Sequence, residues 1–570
     1  MTLVVARPVA HQRRTAGQRH ALVALSHMRL MMLMLLFAAA VALVIGRLFM
    51  LAVLSDAGTG TGALAGAPRG DIVDRNGEPL ARTIDAWTIG VHPRKLLGDP
   101  LEVATKLAEL MPDRGDQWFF HRLLTSDVNF TYLQRRASPA LVEAVNAIGE
   151  PAIVFDRETQ RLYPQSTLAA HALGFLSTEG RGMSGMERVL DEQLTNPALN
   201  GKPVALSLDM RVQAAFESEL SRSMTAMQAR GAAGLVLDVD TGEVVSMVSL
   251  PVFNPNRVGM AGTEELRNIT TQSVYELGST FKVITAAIAL ETGVASLSRR
   301  FDATAPLQVG RFRIKDDHAQ NRWLNIPETL VHSSNIATAR MADEIGPQRM
   351  QAMFRRLGFD TKPDIELREK GRPLWPGFWA RTTTMTTAYG HGIAVTPLHL
   401  ASAYAAMING GVWRPATLLK VQPGRAPEGR RVISEATSHR MRQMMRLIVQ
   451  EGTGKRGEAP GYRVGGKTGT AEVARGGGYA KNANVSTFAA AFPMDAPRYV
   501  VIAMMDSPKR VEANQFQTTA AYTTAPVVSR LIARTGALLG VIPDDSRDID
   551  QSDVMPLLWR APGETGAHPE

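Results

Sequence analysis

The sequence predicts an α+β protein with one transmembrane helix, an N-terminal mixed α/β module, and a larger domain in which helices flank both faces of an antiparallel sheet. Three observations lead to this prediction. One long apolar run lies near the N-terminus. Two β-branched segments in the middle of the chain are joined by a tight turn, and three further strand-like segments follow only after a long helical stretch. Strands interrupted by a helical insertion are typical of a sheet covered by helices.

Length and composition limit the class of protein. The chain has 570 residues, too many for one ordinary core, which predicts more than one domain. Its 45% hydrophobic and 21% charged residues indicate a globular protein rather than a disordered or many-spanning one. The net charge of +9 is spread along the chain without a recognised nucleic-acid motif, so we expect no nucleic-acid partner. Because cysteine is absent, a disulfide framework and a thiol nucleophile are excluded.

The N-terminus predicts the compartment. Residues 1–29 carry five arginines and no acidic residue, and residues 30–54 are apolar apart from Arg47. At about 1.5 Å per residue, this apolar run is long enough to cross a ~30 Å hydrocarbon core. The basic flank is expected in the cytoplasm, so the rest of the chain is exported. A buried core helix and a cleaved signal peptide are the alternatives; the length of the run favours a retained anchor, and the small residues at 63–67 leave cleavage open.

The exported region is predicted to have four parts. Residues 55–68 form a Gly/Ala/Thr linker, and residues 69–200 form a non-catalytic pedestal domain that begins with a turn at 74–77. Within the pedestal, Glu179 and Glu187 are interpreted as solvated surface groups. Residues 201–540 form the catalytic domain. Residues 541–570 are rich in aspartate and are interpreted as a mobile acidic tail.

The catalytic domain is predicted to contain five strands. The runs 233–239 and 243–249 flank Asp240-Thr241-Gly242, which is typical of a hairpin. The runs 463–472, 485–492 and 499–505 are the later strands. A helix is predicted over residues 281–290, with Gly293 as its C-cap.

Ser279 and Lys282 form the first of three short motifs. If Ser279 opens a helix, Lys282 lies one turn later on the same face, where its amine can reach the hydroxyl. A neutral lysine can take the serine proton, and burial or a second nearby cation lowers the lysine pKa toward that state. Gly278 lets a substrate approach, and the helix N-terminus favours an oxyanion. Taken alone, this spacing is also typical of a capped helix.

The second motif is Ser333-Ser334-Asn335, which leads into a helical run. Serine and asparagine before a helix are ordinary N-cap residues. In the functional interpretation, Ser333 relays a proton between Lys282 and a leaving amine, while Asn335 hydrogen-bonds the substrate backbone.

The third motif is Lys467-Thr468-Gly469-Thr470, on a predicted strand edge. Such an edge can bind a peptide as an added strand. Lys467 and the hydroxyls of Thr468 and Thr470 can hold a terminal carboxylate, and Gly469 leaves room for it. The Thr470 amide completes an oxyanion hole with that of Ser279. A strand ending in a turn is the alternative; a phosphate-binding loop is excluded because the first glycine of its motif is missing.

Together, the three motifs match the signature of penicillin-binding proteins and class A β-lactamases. The sequence resembles the class B penicillin-binding proteins over nearly the whole exported region, and especially the division-specific septal transpeptidases of the FtsI type. The resemblance rests on RGDIVDRNG, HALGFL, YELGSTFK, HSSN, YGHGIAVTPLHLASAYAAMINGG, GYRVGGKTG and GGKTGTAE. One departure is Leu277, where the family commonly has proline.

The resemblance implies a penicillin-binding transpeptidase fold and a serine D,D-transpeptidase that uses neither metal nor cofactor. The residues to which it assigns catalysis are Ser279, Lys282, Ser333, Asn335 and Lys467. Those to which it assigns substrate binding are Thr468, Gly469 and Thr470. The implied partners are stem peptides ending in D-Ala-D-Ala, β-lactams, a SEDS-type glycosyltransferase (FtsW) and other divisome membrane proteins. The implied location is the bacterial inner membrane, with the catalytic domain in the periplasm.

Other functions share some of these features. An elongation-specific class B transpeptidase has the same chemistry. A serine β-lactamase would lack the pedestal and the anchor, and a bifunctional synthase would need a glycosyltransferase site. A β-lactam sensor would need a cytoplasmic signalling domain, and a silent divisome scaffold would not need intact motifs.

Two further groups of polar residues are assigned no chemistry. Lys315-Asp316-Asp317-His318 gathers possible metal ligands, but successive loop residues rarely converge on one ion, so it is interpreted as a solvated loop. His391 is interpreted as a packing residue.

Overall fold

The computed structural model describes residues 27–45, 69–199, 201–475 and 478–560, in two compact units within residues 1–66 and 67–570. The first unit contains the helix His27–Ile45, whose 19 residues and mean hydropathy of 2.5 are sufficient to cross a membrane by length and composition. The rest of the predicted apolar run, residues 46–54, lies outside the described residues. So do residues 1–26 and the predicted linker.

A five-stranded sheet organises the N-terminal part of the second unit. Its strands are Ile72–Val73, Pro79–Val91, Thr131–Ala137, Ile153–Leu162 and Val204–Ala205. The long second strand pairs antiparallel with the first, third and fourth, while the last runs parallel to the first. The helices of this part are Pro100–Leu110, Gln117–Leu124, Pro139–Asn146, Ala170–Leu173, Gly185–Val189 and Asp191–Leu194. The predicted turn at 74–77 is present, since the Gly77 amide donates to the Asp74 carbonyl.

Glu187 corrects one interpretation from the sequence. Its side chain is 0% exposed, and its carboxylate accepts hydrogen bonds from Arg69 at 2.9 Å and Arg161 at 2.7 Å. A buried carboxylate is tolerated when it is paired in this way. The two arginines come from distant parts of the chain, so local sequence gives no sign of the pairing. Glu179 is exposed, as expected.

The five strands predicted for the catalytic domain form one antiparallel sheet. In spatial order they are Gly465–Arg475, Gly478–Phe492, Tyr499–Asp506, Gly231–Asp238 and Val244–Leu250. The hairpin turn predicted between the last two is present. The strand Gly465–Arg475, which carries the third motif, lies at one edge.

Alternation along the strands directs side chains to two different cores. Val501 lies in the core that the sheet forms with helices Met210–Ala226 and Thr524–Thr535. Its neighbour Ile502 lies in the core on the other face, which includes helices Phe281–Glu291 and Pro397–Ile408. Helices therefore cover both faces, as predicted.

The remaining elements surround this framework. The other helices are Ile326–Val331, Asn335–Ile345, Pro347–Arg356, Arg381–Thr387 and Glu435–Glu451. The short strands are Phe301–Ala303, Leu307–Val309, Phe312–Ile314, Arg322–Leu324, Val412–Trp413 and Arg430–Arg431. Short 3₁₀ turns lie at Pro93–Lys95, Pro197–Leu199, Pro255–Met260, Gly278–Thr280, Lys455–Gly457, Glu512–Asn514 and Met555–Leu557.

The C-terminal segment is packed against the catalytic domain, so the expectation of a mobile tail is wrong for residues 541–560. Ile549 and Val554 are buried in the core that includes the helix Phe281–Glu291, which we call the main core. Asp548 pairs with Arg446, at 2.8 Å between Oδ2 and Nε. Asp548, one of the acidic residues that suggested mobility, is thus the partner of an arginine of the folded domain. Residues 561–570 lie outside the described residues.

Candidate active site

Ser279 lies in the 3₁₀ turn Gly278–Thr280, which runs directly into the helix Phe281–Glu291. The prediction that it opens a helix is confirmed. The buried Tyr404 hydroxyl donates to the Thr280 carbonyl at 2.8 Å and fixes the start of this helix. Ser279 is half-buried, and its hydroxyl makes no hydrogen bond to the part of the chain that the structure describes.

The turn Gly278–Thr280, which we call the serine turn, packs closely against the edge strand Gly465–Arg475. Gly278 has φ +53°, and a Cβ there would lie 2.7 Å from the Thr470 carbonyl oxygen. A Cβ on Gly469 would lie 2.4 Å from the Leu277 carbonyl oxygen. Both glycines are therefore needed to bring Ser279 beside Thr470, because any side chain would separate the two backbones.

Lys282 is fully buried, with 1% of its surface exposed. Its side-chain nitrogen donates to the Ser333 carbonyl and, at 3.2 Å, to Ser333 Oγ. The sequence predicts that this amine reaches the Ser279 hydroxyl. In the structure it is hydrogen-bonded to Ser333 of the second motif.

Ser333 lies between the helices Ile326–Val331 and Asn335–Ile345. Its φ of +57° is a backbone conformation that residues other than glycine rarely adopt. Ser334 is the N-cap of the second helix, where its hydroxyl accepts from the Ala337 amide. The capping interpretation therefore applies to Ser334, while Ser333 directs its hydroxyl to the two lysines.

The third motif lies along the edge strand. Lys467 is buried, and its side-chain nitrogen donates to Ser333 Oγ at 3.0 Å and to the Thr468 carbonyl at 2.9 Å. The Thr468 hydroxyl lies 2.7 Å from that of Thr453. Thr470 Oγ1 accepts a hydrogen bond from the Ala520 amide at 3.3 Å.

The environment favours neutral amines at the centre of the site. Burial lowers the pKa of Lys282 to about 7, although the carboxylates of Asp316 and Asp317 oppose this shift. Burial lowers the pKa of Lys467 well below its ordinary value, and the nearby charge of Lys282 adds to the effect. Two ammonium groups around one hydroxyl repel each other, so a lysine that can accept a proton is present near neutral pH.

Asp316 is a site residue that sequence reasoning missed. Its carboxylate accepts hydrogen bonds from the Ser334 hydroxyl at 2.7 Å and from the Ile336 amide at 2.9 Å. In the same loop, the Lys315 carbonyl accepts from Asn335 Nδ2 at 3.0 Å. The interpretation of this loop as merely solvated is therefore wrong for Asp316. No local pattern marks it, because its partners come later in the chain on another element.

The segment around His391 packs against the backbone of the serine turn. The His391 ring lies 5.3 Å from that of Tyr389, which fits the packing role expected for it. Gly390 has φ +80°, and a Cβ there would lie 2.3 Å from the Gly278 carbonyl oxygen. The backbone at Gly390 therefore sets the position of Gly278.

Comparison with known protein families matches two regions of this chain. Residues 232–532 match the penicillin binding protein transpeptidase domain, and residues 64–202 match the penicillin-binding protein dimerisation domain. The first region contains all three motifs. The second contains the whole of the predicted pedestal, residues 69–200.

Individual relatives extend this similarity over most of the chain. The probable peptidoglycan D,D-transpeptidase FtsI of Caulobacter vibrioides is 40% identical over 512 residues, which cover 86% of this chain and 85% of the relative. The probable peptidoglycan D,D-transpeptidase PenA of Neisseria meningitidis is 29% identical over 470 residues, covering 78% of this chain and 80% of the relative. The crystal structure of penicillin binding protein 3 from Mycobacterium tuberculosis, complexed with aztreonam, has a TM-score of 0.64 and 26% identity, covering 83% of this chain and 96% of the other. The chain therefore belongs to the class B penicillin-binding proteins, with a dimerisation domain and a transpeptidase domain, and is a homologue of the FtsI-type peptidoglycan D,D-transpeptidases.

Proposed function

We propose that this protein is a membrane-anchored D,D-transpeptidase that cross-links peptidoglycan stem peptides in the septal wall, with Ser279 as its nucleophile. The observation that carries the proposal is the convergence of Lys282 and Lys467 on Ser333 Oγ beside the serine turn. A buried amine with a lowered pKa next to a hydroxyl network is suited to proton transfer. The septal role is supported by the FtsI name of the 40%-identical relative.

The first half-reaction is acylation. Ser279 Oγ attacks the carbonyl carbon between the two terminal D-alanines, and neutral Lys282 accepts the hydroxyl proton. The oxyanion accepts hydrogen bonds from the amides of Ser279 and Thr470. The peptide bond then breaks as the proton on Lys282 passes through the Ser333 hydroxyl to the leaving amine, and D-alanine departs. An ester between Ser279 and the stem remains.

The second half-reaction is deacylation by an amine. An amine of a neighbouring stem attacks the ester carbonyl and loses a proton, which passes through Lys282 and Ser333 to Ser279 Oγ. The ester bond breaks as the new amide forms, so the free serine is regenerated.

The edge strand is suited to hold the donor stem. It pairs with one other strand, Gly478–Phe492, and so leaves its outer backbone groups for an added peptide. In this proposal Lys467, Thr468 and the Thr470 hydroxyl hold the terminal carboxylate, and Asn335 hydrogen-bonds the stem backbone. β-Lactams occupy the same groove and acylate Ser279.

The anchor and the partners complete the proposal. The helix His27–Ile45 spans the inner membrane once, with the basic N-terminus in the cytoplasm and residues 69–570 in the periplasm. A SEDS-type glycosyltransferase, FtsW, supplies the glycan strands, and other divisome membrane proteins localise the enzyme.

Reconstitution with lipid II tests this function. The full-length protein given lipid II alone is expected to make no glycan, because the sequence shows no glycosyltransferase site. Cross-links should appear once a separate polymerase is added, and Ser279→Ala should abolish them. Glycan made by this protein alone would contradict a purely transpeptidase activity. Cross-linking by Ser279→Ala would contradict the assigned nucleophile.

A further inference from the structure

The last described residues of the chain form a strap on the catalytic domain. We call residues 554–560 the C-terminal strap. Val554 is fully buried in the main core. Three further apolar residues of the strap pack against the same core, namely Met555, Leu557 and Leu558. The strap is therefore held in place by apolar burial as well as by polar contacts.

The strap binds the first turn of the helix Ile326–Val331. The Leu557 carbonyl accepts a hydrogen bond from Asn325 Nδ2 at 2.6 Å, and Asn325 is the N-cap of this helix. The Trp559 amide donates to Glu328 Oε1 at 2.9 Å. Glu328 is itself fully buried, and its other carboxylate oxygen completes the capping box with the Asn325 amide. Both residues of the capping box thus contact the strap.

Arg322 connects the strap to the other end of the same helix. Its guanidinium lies over the Trp559 ring, 5.1 Å from the ring centre. It donates to Glu328 Oε1 at 2.6 Å, and its Nη2 lies 3.3 Å from His332 Nε2. One side chain therefore links the strap, the capping carboxylate and the residue immediately before Ser333.

The end of this helix determines where Ser333 lies. The Ser333 amide donates to the Leu330 carbonyl, and the Ser334 amide donates to the Thr329 carbonyl. Ser333 also holds its φ of +57°, which the surrounding contacts must maintain. A shift of the helix or of His332 would move Ser333 Oγ relative to the two lysines.

We propose that the C-terminal strap positions Ser333 for acylation, with Trp559 and Arg322 as the positioning residues that couple the strap to His332. This inference rests on the proton-relay role proposed above for Ser333. Trp559 and Arg322 act through the helix and do not touch the reacting atoms. The strap should therefore affect the acylation of Ser279 by a penicillin more than the noncovalent binding of that penicillin.

The test is stopped-flow acylation of the full-length protein by a fluorescent penicillin, with the noncovalent dissociation constant and the acylation rate constant measured separately. Trp559→Ala should lower the rate constant about fivefold, the size expected for losing one cation–π contact. The dissociation constant and the final labelling stoichiometry should stay unchanged. Trp559→Phe keeps an aromatic face and should recover most of the rate.

Two controls separate positioning from general stability. Trp118 is 60% exposed, much like Trp559 at 57%, but lies in the N-terminal module, so Trp118→Ala should acylate at the wild-type rate. A chain ending at Arg560 keeps the strap and should also behave as wild type. A chain ending at Pro556 loses the Leu557 and Trp559 contacts and should be slower than Trp559→Ala.

The outcomes distinguish this inference from the proposed function. An unchanged rate constant in Trp559→Ala would overturn the positioning role. So would a reduced labelled fraction with an unchanged rate constant, because that pattern means only that some molecules are unfolded. If the wild-type protein is not labelled by penicillin at all, the proposed function is contradicted, and the positioning role that rests on it is overturned as well.

Discussion

Lys282 and Lys467 donate hydrogen bonds to the same oxygen, Ser333 Oγ, at 3.2 and 3.0 Å. Both lysines are buried, so neither charge is well solvated. The shared hydroxyl can accept from one amine while it donates to another group, which makes it a connection for protons. The chemistry proposed for Ser279 depends on this arrangement.

Replacing Lys282 by arginine should abolish acylation although the positive charge is kept. A guanidinium does not lose its proton in a protein and cannot serve as the base. We expect acylation by a fluorescent penicillin to fall about 100- to 10,000-fold in a stopped-flow measurement. Lys315→Arg, an exposed change in the loop next to the site, is the matched control and should leave the rate unchanged. Near-wild-type acylation by Lys282→Arg would exclude Lys282 as the base.

The acylation rate should rise with pH through the pKa of Lys282. Burial lowers this pKa to about 7, so the amine is protonated and inactive below that pH and neutral above it. A pH series of the same stopped-flow measurement should show a midpoint near 7, followed by a plateau. A rate that falls between pH 6 and 8 would contradict a neutral lysine base.

Asp316→Asn should slow acylation and shift its pH dependence. The variant amide has one acceptor oxygen for two donors, Ser334 Oγ and the Ile336 amide, so the second motif loses support. We expect a maximal rate about tenfold lower, since a charge-assisted hydrogen bond is lost. The midpoint should also move to lower pH, because the Asp316 carboxylate raises the pKa of Lys282.

Asp317→Asn is the matched control for that variant. Asp317 also raises the pKa of Lys282, but it is exposed, so solvent screens its effect. The control should shift the midpoint slightly to lower pH and keep the wild-type maximal rate. Equal maximal rates in the two variants would show that Asp316 acts only through its charge.

Tyr404→Phe should destabilise the catalytic domain. The variant removes the buried hydroxyl that donates to the Thr280 carbonyl. Loss of one such hydrogen bond lowers the free energy of unfolding by about 1 kcal/mol. Thermal unfolding in detergent measures this change, and Tyr132→Phe, at an exposed tyrosine, is the control. An unchanged unfolding temperature in Tyr404→Phe would mean that the contact contributes nothing to stability.

The sequence predicts the parts of this molecule whose signals are local. The hairpin around Asp240 and the strand that carries Lys467 follow from β-branched runs and a turn, which are patterns of neighbouring residues. The first two motifs lie where a helix begins, and the third lies on an edge strand. The local structure of each motif therefore also follows from neighbouring residues. That the three motifs form one site is implied by the family resemblance rather than by any one motif. The shared contact of Lys282 and Lys467 with Ser333 Oγ is seen only in the structure.

Long-range polar contacts are the part that the sequence did not reveal. Asp316 binds Ser334 of the second motif, although a strand and a helix lie between them in the chain. Glu187 pairs with two arginines that lie far from it in the sequence. The aspartate-rich composition of the C-terminal segment predicts mobility, yet Asp548 pairs with Arg446 of the folded domain. Composition reports how polar a segment is, but only the fold determines whether a partner of opposite charge is in reach.

Mass spectrometry of the penicillin adduct tests the central claim most directly. A transpeptidase admits an amine acceptor and has no group dedicated to activating water, whereas a class A β-lactamase deacylates through a glutamate and a conserved water. The folded full-length protein should therefore gain the mass of one penicillin on the peptide that contains Ser279. The adduct should persist for many minutes and be absent from Ser279→Ala. Labelling at another residue, or rapid hydrolysis with turnover, would contradict the assignment of Ser279 as a transpeptidase nucleophile.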